Sequence, residues 1–391
     1  MDLKQRVKTR IQADSSSLIE LSHTVHATPE LAYEEYQSSS ALADALEAGG
    51  MKVERRAHGL DTAFRATAGK GGRHVCICAE FDALPNIGHA CGHNIIGSSS
   101  VGAGLALEDL ADDLDLKVTV LGTPAEEGGG GKVDLLNAGA FDDVDVAMMV
   151  HPSPHEVVDI PSLAISHLKI AFHGKESHAS AYPELGRNAL DAAMIAHGAI
   201  AALRQHIQSH ERIHGIVTNG GDAPNVVPKL ATMAYYVRAA NLEDLEKLQS
   251  RVERCFQAGA LATGCEVEIG LTGHPYDRVT TNPTLGEIYD RNLKAVGRSA
   301  FPDVKRSAGS TDMGNVSSRV PSIHPLMSID SLPAVNHQAE FAAHCISPAG
   351  DRAVVDAAAA MAYTVVDLAT TQGAFETVRA EFEAGAAIPE G

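Results

Sequence analysis

The pattern of apolar and polar residues changes character along the chain. Residues 3–26 and 34–48 have the spacing of amphipathic helices, and Gly49 and Gly50 end the second. Short apolar runs typical of buried strands then alternate with helical segments. The runs are 74–80, 116–122 and 145–150, and the helical segments lie near 94–109 and 131–138. This alternation predicts an α/β fold with a doubly wound, mostly parallel sheet.

A second pattern follows residue 161 and predicts a smaller α+β unit. Its order is strand, helix, strand, strand, helix, strand, which is the order of a ferredoxin-like fold. The predicted elements are 164–174, 188–206, 212–219, 229–238, 242–262 and 265–270. The remaining chain again has α/β character and ends in an Ala-rich helix near 351–370. We therefore expect a unit of residues 164–274 inserted into a larger domain formed by 1–163 and 275–391.

Composition and charge narrow the possible functions. The 391 residues include 31 Lys and Arg against 50 Asp and Glu, and the resulting net charge of -19 disfavours binding to nucleic acids. No run of 18 apolar residues and no secretory signal pattern is visible, so we expect a soluble, cytoplasmic protein that does not bind membranes. We expect most of the six cysteines to be reduced. The 19 histidines outnumber the 9 Phe and 8 Tyr together, which directs attention to metal or proton chemistry.

Candidate chemistry lies at the ends of three successive predicted strands. Cys91 and His93 follow the first strand, Glu126 and Glu127 the second, and His151 the third. Taken singly, each motif is more often a polar turn, a solvated loop or a satisfied loop histidine. In a parallel sheet, however, the carboxyl ends of neighbouring strands meet at one edge. Their combination therefore favours a metal centre with thiol, imidazole and carboxylate ligands.

An ordered set of motifs resembles the M20 metallopeptidases, and within them the amidohydrolase branch, from near residue 20 to near residue 368. The motifs are His26-Ala-Thr-Pro-Glu-Leu31, Asp82-Ala-Leu-Pro85, His89-Ala-Cys-Gly-His93, Pro124-Ala-Glu-Glu-Gly128 and His151. The resemblance implies two divalent metal ions, zinc or manganese with cobalt possible. It assigns the metal ligands to Cys91, His93, Glu127, His151 and His337.

The same resemblance implies roles for two further carboxylates. Glu126 matches the general base of the family, and Asp82 matches the carboxylate that orients the metal site. Glu80 stands where most relatives have Asp, and Asn94 stands where most have Asp after Cys-Gly-His. Neither change removes an implied ligand.

The inserted unit resembles the lid and dimerisation domain of the family. His178 matches a histidine that stabilises the tetrahedral oxyanion, commonly in the active site of the partner subunit. Asn225 and Arg238 match lid residues that hold the carboxylate or carbonyl of the substrate, and Arg278 is an alternative to Arg238. Without the resemblance, His178 would be interpreted as a strand-terminal histidine. A homodimer formed through the lid is the implied assembly.

The expected activity is hydrolysis of the amide bond of an N-acyl or N-aroyl amino acid, or of a small dipeptide, by a metal-bound water with Glu126 as base. Two alternatives remain open from the residues. One is a catalytically silent, metal-stabilised homodimer that acts as a binding or scaffold protein, although such a protein has no need of Glu126 beside Glu127. The other is an enzyme in which Cys91 is a covalent nucleophile activated by an adjacent imidazole.

Overall fold

A computed structural model describes residues 2–301 and 309–385 and divides the chain into two compact units. The first unit comprises the chain up to Pro161 and from Val279 onward, and the second is Ser162–Arg278. The sequence-based boundaries, 164 and 274, differ from these by two to four residues. Parts of the predicted C-terminal segment, 302–308 and 386–391, lie outside the described residues.

The first unit has a six-stranded mixed sheet in the order β1-β2-β4-β3-β5-β11. Its strands are β1 (Lys52–Arg55), β2 (Phe64–Ala68), β3 (Arg73–Ala79), β4 (Leu116–Gly122), β5 (Val146–Met148) and β11 (Ser322–Ile323); β6 (His151–Ser153) and β12 (Leu326–Ser328) form a separate pair. Strands β4, β3 and β5 are parallel neighbours, with Ala79 opposite Gly122 and Ile77 opposite Met148. The three predicted strands therefore do end at one edge.

Helices pack against this sheet, and the buried side chains between the helices and the sheet form the core of the first unit. The helices are α1 (Leu3–Ala27), α2 (Tyr36–Ala48), α3 (His93–Glu108), α4 (Gly131–Asn137), α7 (Pro283–Ala295), α8 (Met313–Ser317), α9 (Ala339–His344), α10 (Pro348–Thr370) and α11 (Ala374–Glu383). Helix α3 is buried along nearly its whole length, because α1 and α10 pack on one side of it and β3 and β4 on the other. Helix α10 is long and apolar enough to cross a membrane, but 72% of its apolar window is buried in this core.

Two details of the first unit differ from the sequence-based prediction. Strands β1 and β2 were not predicted, and β1 carries little apolar signal because three of its four residues are exposed. The predicted strand 145–150 ends at Met148, and His151 begins β6 instead of following a longer strand. The apolar run continues through Met149 and Val150 because both are buried where the chain passes from one sheet to the other.

The second unit has the predicted ferredoxin-like arrangement, with sheet order β10-β7-β9-β8 and all pairs antiparallel. Its elements are β7 (Ala164–His173), α5 (Ala189–Leu203), β8 (Arg212–Asn219), β9 (Leu230–Ala239), α6 (Leu242–Thr263) and β10 (Glu266–Leu271). Alternate residues of β7 and β9, among them Ile170, Phe172 and Tyr235, are buried in its own core with α5 and α6. An independent core makes this unit a domain in its own right.

Candidate metal centre

The Cys-Gly-His turn has a backbone that only glycine fits at its centre. Gly92 has φ +81°, and a Cβ built on it would lie 2.4 Å from Cγ of Pro152. A side chain at this position would both strain the backbone and displace its neighbour. The turn therefore presents Cys91 on one side of Gly92 while His93 begins α3 on the other.

Five of the predicted site residues meet at the carboxyl edge of β3, β4 and β5 as two groups that share Cys91. The ligand atoms within each group all lie within 4.8 Å of one another, and the groups are Cys91, His93, His151 and Cys91, Glu127, His337. Sγ of Cys91 is 3.4 Å from Nε2 of His151 and 3.5 Å from Nε2 of His337. A sulfur about 2.3 Å and a nitrogen about 2.05 Å from one tetrahedral ion are roughly 3.6 Å apart. The spacing fits two divalent ions, one of which would be held by each group, and Cys91 is common to both groups.

Two of these residues are held by Asp82. Its Oδ1 lies 2.9 Å from Nδ1 of His93, and its Oδ2 accepts the backbone N–H of Glu127 at 2.9 Å. When Nδ1 of His93 donates to Asp82, the lone pair of Nε2 is directed at the metal-binding groups. Asp82 thereby orients one imidazole and holds the backbone that carries the Glu127 carboxylate.

The electrostatics of the centre also fit a cation. Burial and the neighbouring Glu127 and Glu126 carboxylates raise the pKa of Cys91 well above its usual value. Burial and Glu127 raise the pKa of Glu126 in the same way. Buried atoms without a hydrogen-bond partner among the described residues include Oε2 of Glu80, Nε2 of His93 and Oε1 of Glu127. Because such atoms are costly unless a partner satisfies them, these residues fit divalent metal ions.

The same environment disfavours Cys91 as a covalent nucleophile. A nucleophilic cysteine needs a lowered pKa and a cationic neighbour. Here burial raises the pKa of Cys91 and lowers the pKa of the adjacent His151 to about 4. In spite of burial, Asp82 raises the pKa of His93, but this imidazole is paired with the carboxylates of Asp82 and Glu80. A divalent ion, in contrast, would deprotonate the thiol.

Backbone strain marks two positions next to proposed functional groups. Ala125 has φ +60° and immediately precedes Glu126, and His337 itself has φ +68°. The backbone N–H of His337 donates to the carbonyl of Ala90 at 2.9 Å, which anchors it beside Cys91. Left-handed conformations at residues other than glycine cost about 1–3 kcal/mol and are maintained by surrounding contacts.

Within the second unit, His178 and Asn225 are neighbours. The backbone N–H of Ala179 donates to the carbonyl of Asn225 at 3.0 Å. Nδ1 of the exposed His178 accepts the backbone N–H groups of Ser180 and Ala181 at 3.3 and 3.2 Å. These bonds put the proton on Nε2, which is the tautomer that can donate to an oxyanion.

Arg238 lies at the other end of the same sheet. It is opposite Ile165, whereas the His178 loop follows His173, the last residue of β7. The antiparallel ladder continues past His173 through bonds between Gly174 and Lys229 and between Val227 and Ser177. Ile165 and His173 are eight residues apart on β7, so at ~3.3 Å per residue Arg238 lies about 26 Å from the end of this strand, and His178 lies farther along the same ladder. The structure brings Asn225 to His178 but does not bring Arg238 to either of them.

Several polar residues beside the centre were not predicted from the sequence to belong to it. Lys132, Asp312, Glu35 and His324 are all buried in the first unit. Lys132 offered a signal, because it is the one lysine in an otherwise apolar, Gly-rich segment after Glu126 and Glu127. His324, whose ring lies 5.6 Å from that of His151, offered none, because its neighbours are 173 residues earlier in the chain.

Comparison with known proteins adds relatives of known activity. Residues 164–263 match the peptidase dimerisation domain family. The chain is 41% identical to mouse Xaa-Arg dipeptidase over 97% of its own length and 92% of that protein. It is 33% identical to one of the two p-aminobenzoyl-glutamate hydrolase chains of Escherichia coli over 66% of this chain and 58% of that one.

A solved structure shares the fold. A dinuclear metal binding peptidase of the M20 family from Bacillus subtilis superimposes with a TM-score of 0.67 at 21% identity, covering 91% of this chain and 99% of that one. The arrangement of a mixed α/β unit with an inserted ferredoxin-like unit is therefore that of a known peptidase fold.

Proposed function

This chain belongs to the M20 family of metallopeptidases, and we propose that it cleaves the amide bond of small dipeptides or N-acyl amino acids that carry a free carboxylate. It is an enzyme, a metal-dependent amidohydrolase or dipeptidase, as its relatives are. A catalytically silent scaffold is therefore rejected. Because the relative with 41% identity is called an Xaa-Arg dipeptidase, dipeptides ending in Arg are the first substrates to test.

The position of Glu126 carries this proposal. Glu127 belongs to the group with Cys91 and His337, whereas Glu126 lies outside both groups that contain Cys91. It belongs to a third group with Glu80 and His93, in which Oε2 of Glu126 is 3.9 Å from Nε2 of His93. When bound, two divalent ions supply an acidified water and polarise the scissile carbonyl. Glu126 then accepts the proton of the attacking water and returns it to the nitrogen of the leaving amine.

The nature of the proposed ligands bears on the metal. Imidazole and carboxylate groups bind several divalent ions, and the thiolate of Cys91 shifts the preference toward zinc without excluding manganese or cobalt. We propose zinc or manganese as the native ions. Elemental analysis of the purified protein tests this choice.

A homodimer formed through the second unit completes the proposal. The matched dimerisation family supports it, as do exposed apolar side chains on α5 and on the edge strand β8. These are Met194, Ile195, Ile216 and Val217. A dipeptide spans only about 7 Å, so one substrate cannot touch His178 and Arg238 of the same lid. If both act on one substrate, they come from different subunits.

We also propose a cytoplasmic location. All six cysteines are free, and two of them, Cys76 and Cys78, are fully buried neighbours on β3. Such thiols persist in a reducing compartment. Fractionation of the producing cell would test this proposal.

The substrate class is tested with metal-loaded protein and a panel read out by mass spectrometry. The panel contains dipeptides ending in Arg, matched dipeptides ending in Ala or Glu, N-acetyl and N-benzoyl amino acids, and p-aminobenzoyl-glutamate. We expect release of a free amino acid from at least one compound and none from the same compound with its carboxylate amidated. Hydrolysis that ignores the carboxylate would contradict the proposed substrate class, and no hydrolysis of any compound would contradict the activity.

A further inference from the structure

A fully buried ion cluster lies behind the candidate metal centre. Nζ of Lys132 donates to Oε1 of Glu80 at 2.5 Å and to Oδ1 of Asp312 at 2.7 Å. The backbone N–H of Lys132 also donates to Oδ2 of Asp312 at 2.9 Å. All three side chains have no exposed surface. Because buried charges are costly to maintain, a cluster of this kind needs accurate pairing.

The cluster satisfies only one of the two oxygens of Glu80. Oε1 is bound to Lys132, whereas Oε2 is buried and has no hydrogen-bond partner within residues 2–301 and 309–385. Oε2 lies 3.5 Å from Nε2 of His93, which is itself buried and has no hydrogen-bond partner in the same described ranges. Two buried ligand atoms without hydrogen bonds at this separation have the spacing of two donors to one ion, roughly 3.4 Å.

Glu80 also reaches this position from a rigid support. It directly follows Ala79, the last residue of β3, while Lys132 lies in the first turn of α4 and Asp312 immediately precedes α8. The Lys132 ammonium therefore ties the end of a central strand to two helices. With Oε1 fixed in this way, rotation of the Glu80 carboxylate is restricted and Oε2 is aimed at His93.

A third group, formed by Glu80, His93 and Glu126, shares His93 with the group that contains Cys91 and His151. We propose that Glu80 is a further metal ligand, which binds through Oε2 the ion that His93 binds, and that Lys132, clamped by Asp312, is the positioning residue for this carboxylate. The inference rests on the proposed function, because it requires divalent ions at the centre.

The decisive variant is Glu80→Gln, which keeps the shape of the side chain and an oxygen for Lys132 but replaces the second oxygen by an uncharged amide NH2 that cannot bind a metal ion. Metal content is measured after dialysis, and affinities are measured by Zn²⁺ and Mn²⁺ competition with a chelator. We expect the affinity for one of the two ions to fall at least about tenfold, the scale seen when groups that support a metal are removed. The visible spectrum of the Co²⁺-loaded protein should change as well, because it reports the coordination of the ion.

Glu156→Gln is the matched control. Glu156 is another buried glutamate in an ion pair, with Arg298 at 3.2 Å, and it belongs to none of the three groups of candidate ligands. This variant should keep both affinities and the Co²⁺ spectrum of the wild type. A similar loss in both variants would mean that any disturbed buried glutamate weakens metal binding, and would overturn the inference.

Lys132→Met tests the positioning role. This variant should lower the affinity for the same ion as Glu80→Gln does and alter the Co²⁺ spectrum, even though Lys132 is not itself a metal ligand. If Lys132→Met does not fold, Glu80→Gln still decides whether Glu80 is a ligand. If Glu80→Gln keeps the metal affinities and the Co²⁺ spectrum of the wild type and only its melting temperature is lower, the cluster has a structural role and Glu80 is not a ligand. Failure of the wild type itself to bind two ions would instead contradict the proposed metal centre.

Discussion

Glu35 accepts the backbone N–H of Ala125 at 2.9 Å, across 90 residues of chain. The same carboxylate accepts the backbone N–H of Tyr33 at 2.9 Å and the hydroxyl of Thr62 at 2.8 Å. Ala125 has a left-handed backbone and directly precedes Glu126. Glu35 therefore anchors the strained turn from which the proposed general base projects.

Two substitutions of Glu35 should distinguish its role as a hydrogen-bond acceptor for Ala125 from the effect of its negative charge. Glu35→Ala leaves the buried N–H of Ala125 without an acceptor, and we expect a stability loss of about 1–3 kcal/mol together with lower activity. Glu35→Gln keeps an oxygen for Ala125 and should retain most activity. Urea denaturation and kcat measure the two effects. Equal behaviour of both variants would contradict the anchoring role.

The charge of Glu35 also predicts a pH dependence of stability. Burial raises its pKa to about 7 from 4.5, so between these values the folded protein binds more protons than the unfolded chain. This contribution to stability is present below about pH 4.5 and is lost as the pH rises through 7. Glu35→Gln lacks it. The unfolding free energy of the wild type minus that of Glu35→Gln should therefore be more positive at pH 5 than at pH 8.

Asp82→Ala should weaken metal binding without removing a ligand. The variant frees the ring of His93 and the backbone N–H of Glu127, and we expect a loss of about 10- to 100-fold in metal affinity. Asp145→Ala is the control, because Asp145 likewise accepts a backbone N–H, that of His74 at 2.7 Å, away from the candidate ligands. Equal affinities in Asp82→Ala and the wild type would show that Asp82 does not orient the centre.

Glu126→Gln should abolish turnover while both ions remain bound, since an amide cannot accept a proton from water. We expect kcat to fall at least about 100-fold. Glu127→Gln is the informative comparison, because it should lose metal as well as activity. If Glu126→Gln keeps more than a tenth of the wild-type kcat, a loss below ~1.4 kcal/mol, Glu126 is not the base.

Metal affinity should fall as the pH falls. Burial raises the pKa of Cys91, so the metal-free protein carries a thiol at neutral pH, and binding an ion must release its proton. Affinity measured between pH 8 and pH 6 should drop about tenfold per pH unit for each proton released. Cys91→Ala should bind more weakly with a shallower slope, and Cys345→Ala, a buried cysteine outside the ligand groups, should match the wild type. Inactivation by alkylation combined with resistance to chelators would restore Cys91 as a nucleophile.

The lid is tested by mixing subunits. His178→Ala should cost ~2.7 to 4 kcal/mol of transition-state stabilisation, as expected for loss of one oxyanion donor. If His178 acts on the partner's site, mixing inactive His178→Ala and Glu126→Gln subunits should restore activity. His173→Ala, a neighbouring histidine that contacts Glu268, should remain active. No recovery despite demonstrated subunit exchange would assign His178 to its own subunit.

Much of the architecture followed from local pattern. The order of apolar runs and helical segments predicted the fold of both units. It could do so because a helix or strand with one buried face has apolar residues at a regular spacing. The exceptions are short or exposed elements such as β1, where few side chains are buried. The expected parallel pairing of β3, β4 and β5 then made it possible to group Cys91 and Glu127 from the chain alone, since parallel strands end at one edge.

Only the tertiary structure decided which groups complete that edge. Glu35 is 90 residues from its partner Ala125, and Lys132 is 180 residues from its partner Asp312. No local sequence pattern relates residues so far apart in the chain. The separation of Arg238 from His178 likewise depends on the register of β7 and β9. The sequence by itself determined which side chains stand at strand ends, because chain direction and burial are local properties. Folding decided which carboxylate oxygens remain without a partner, because each oxygen is satisfied or orphaned by residues from distant segments.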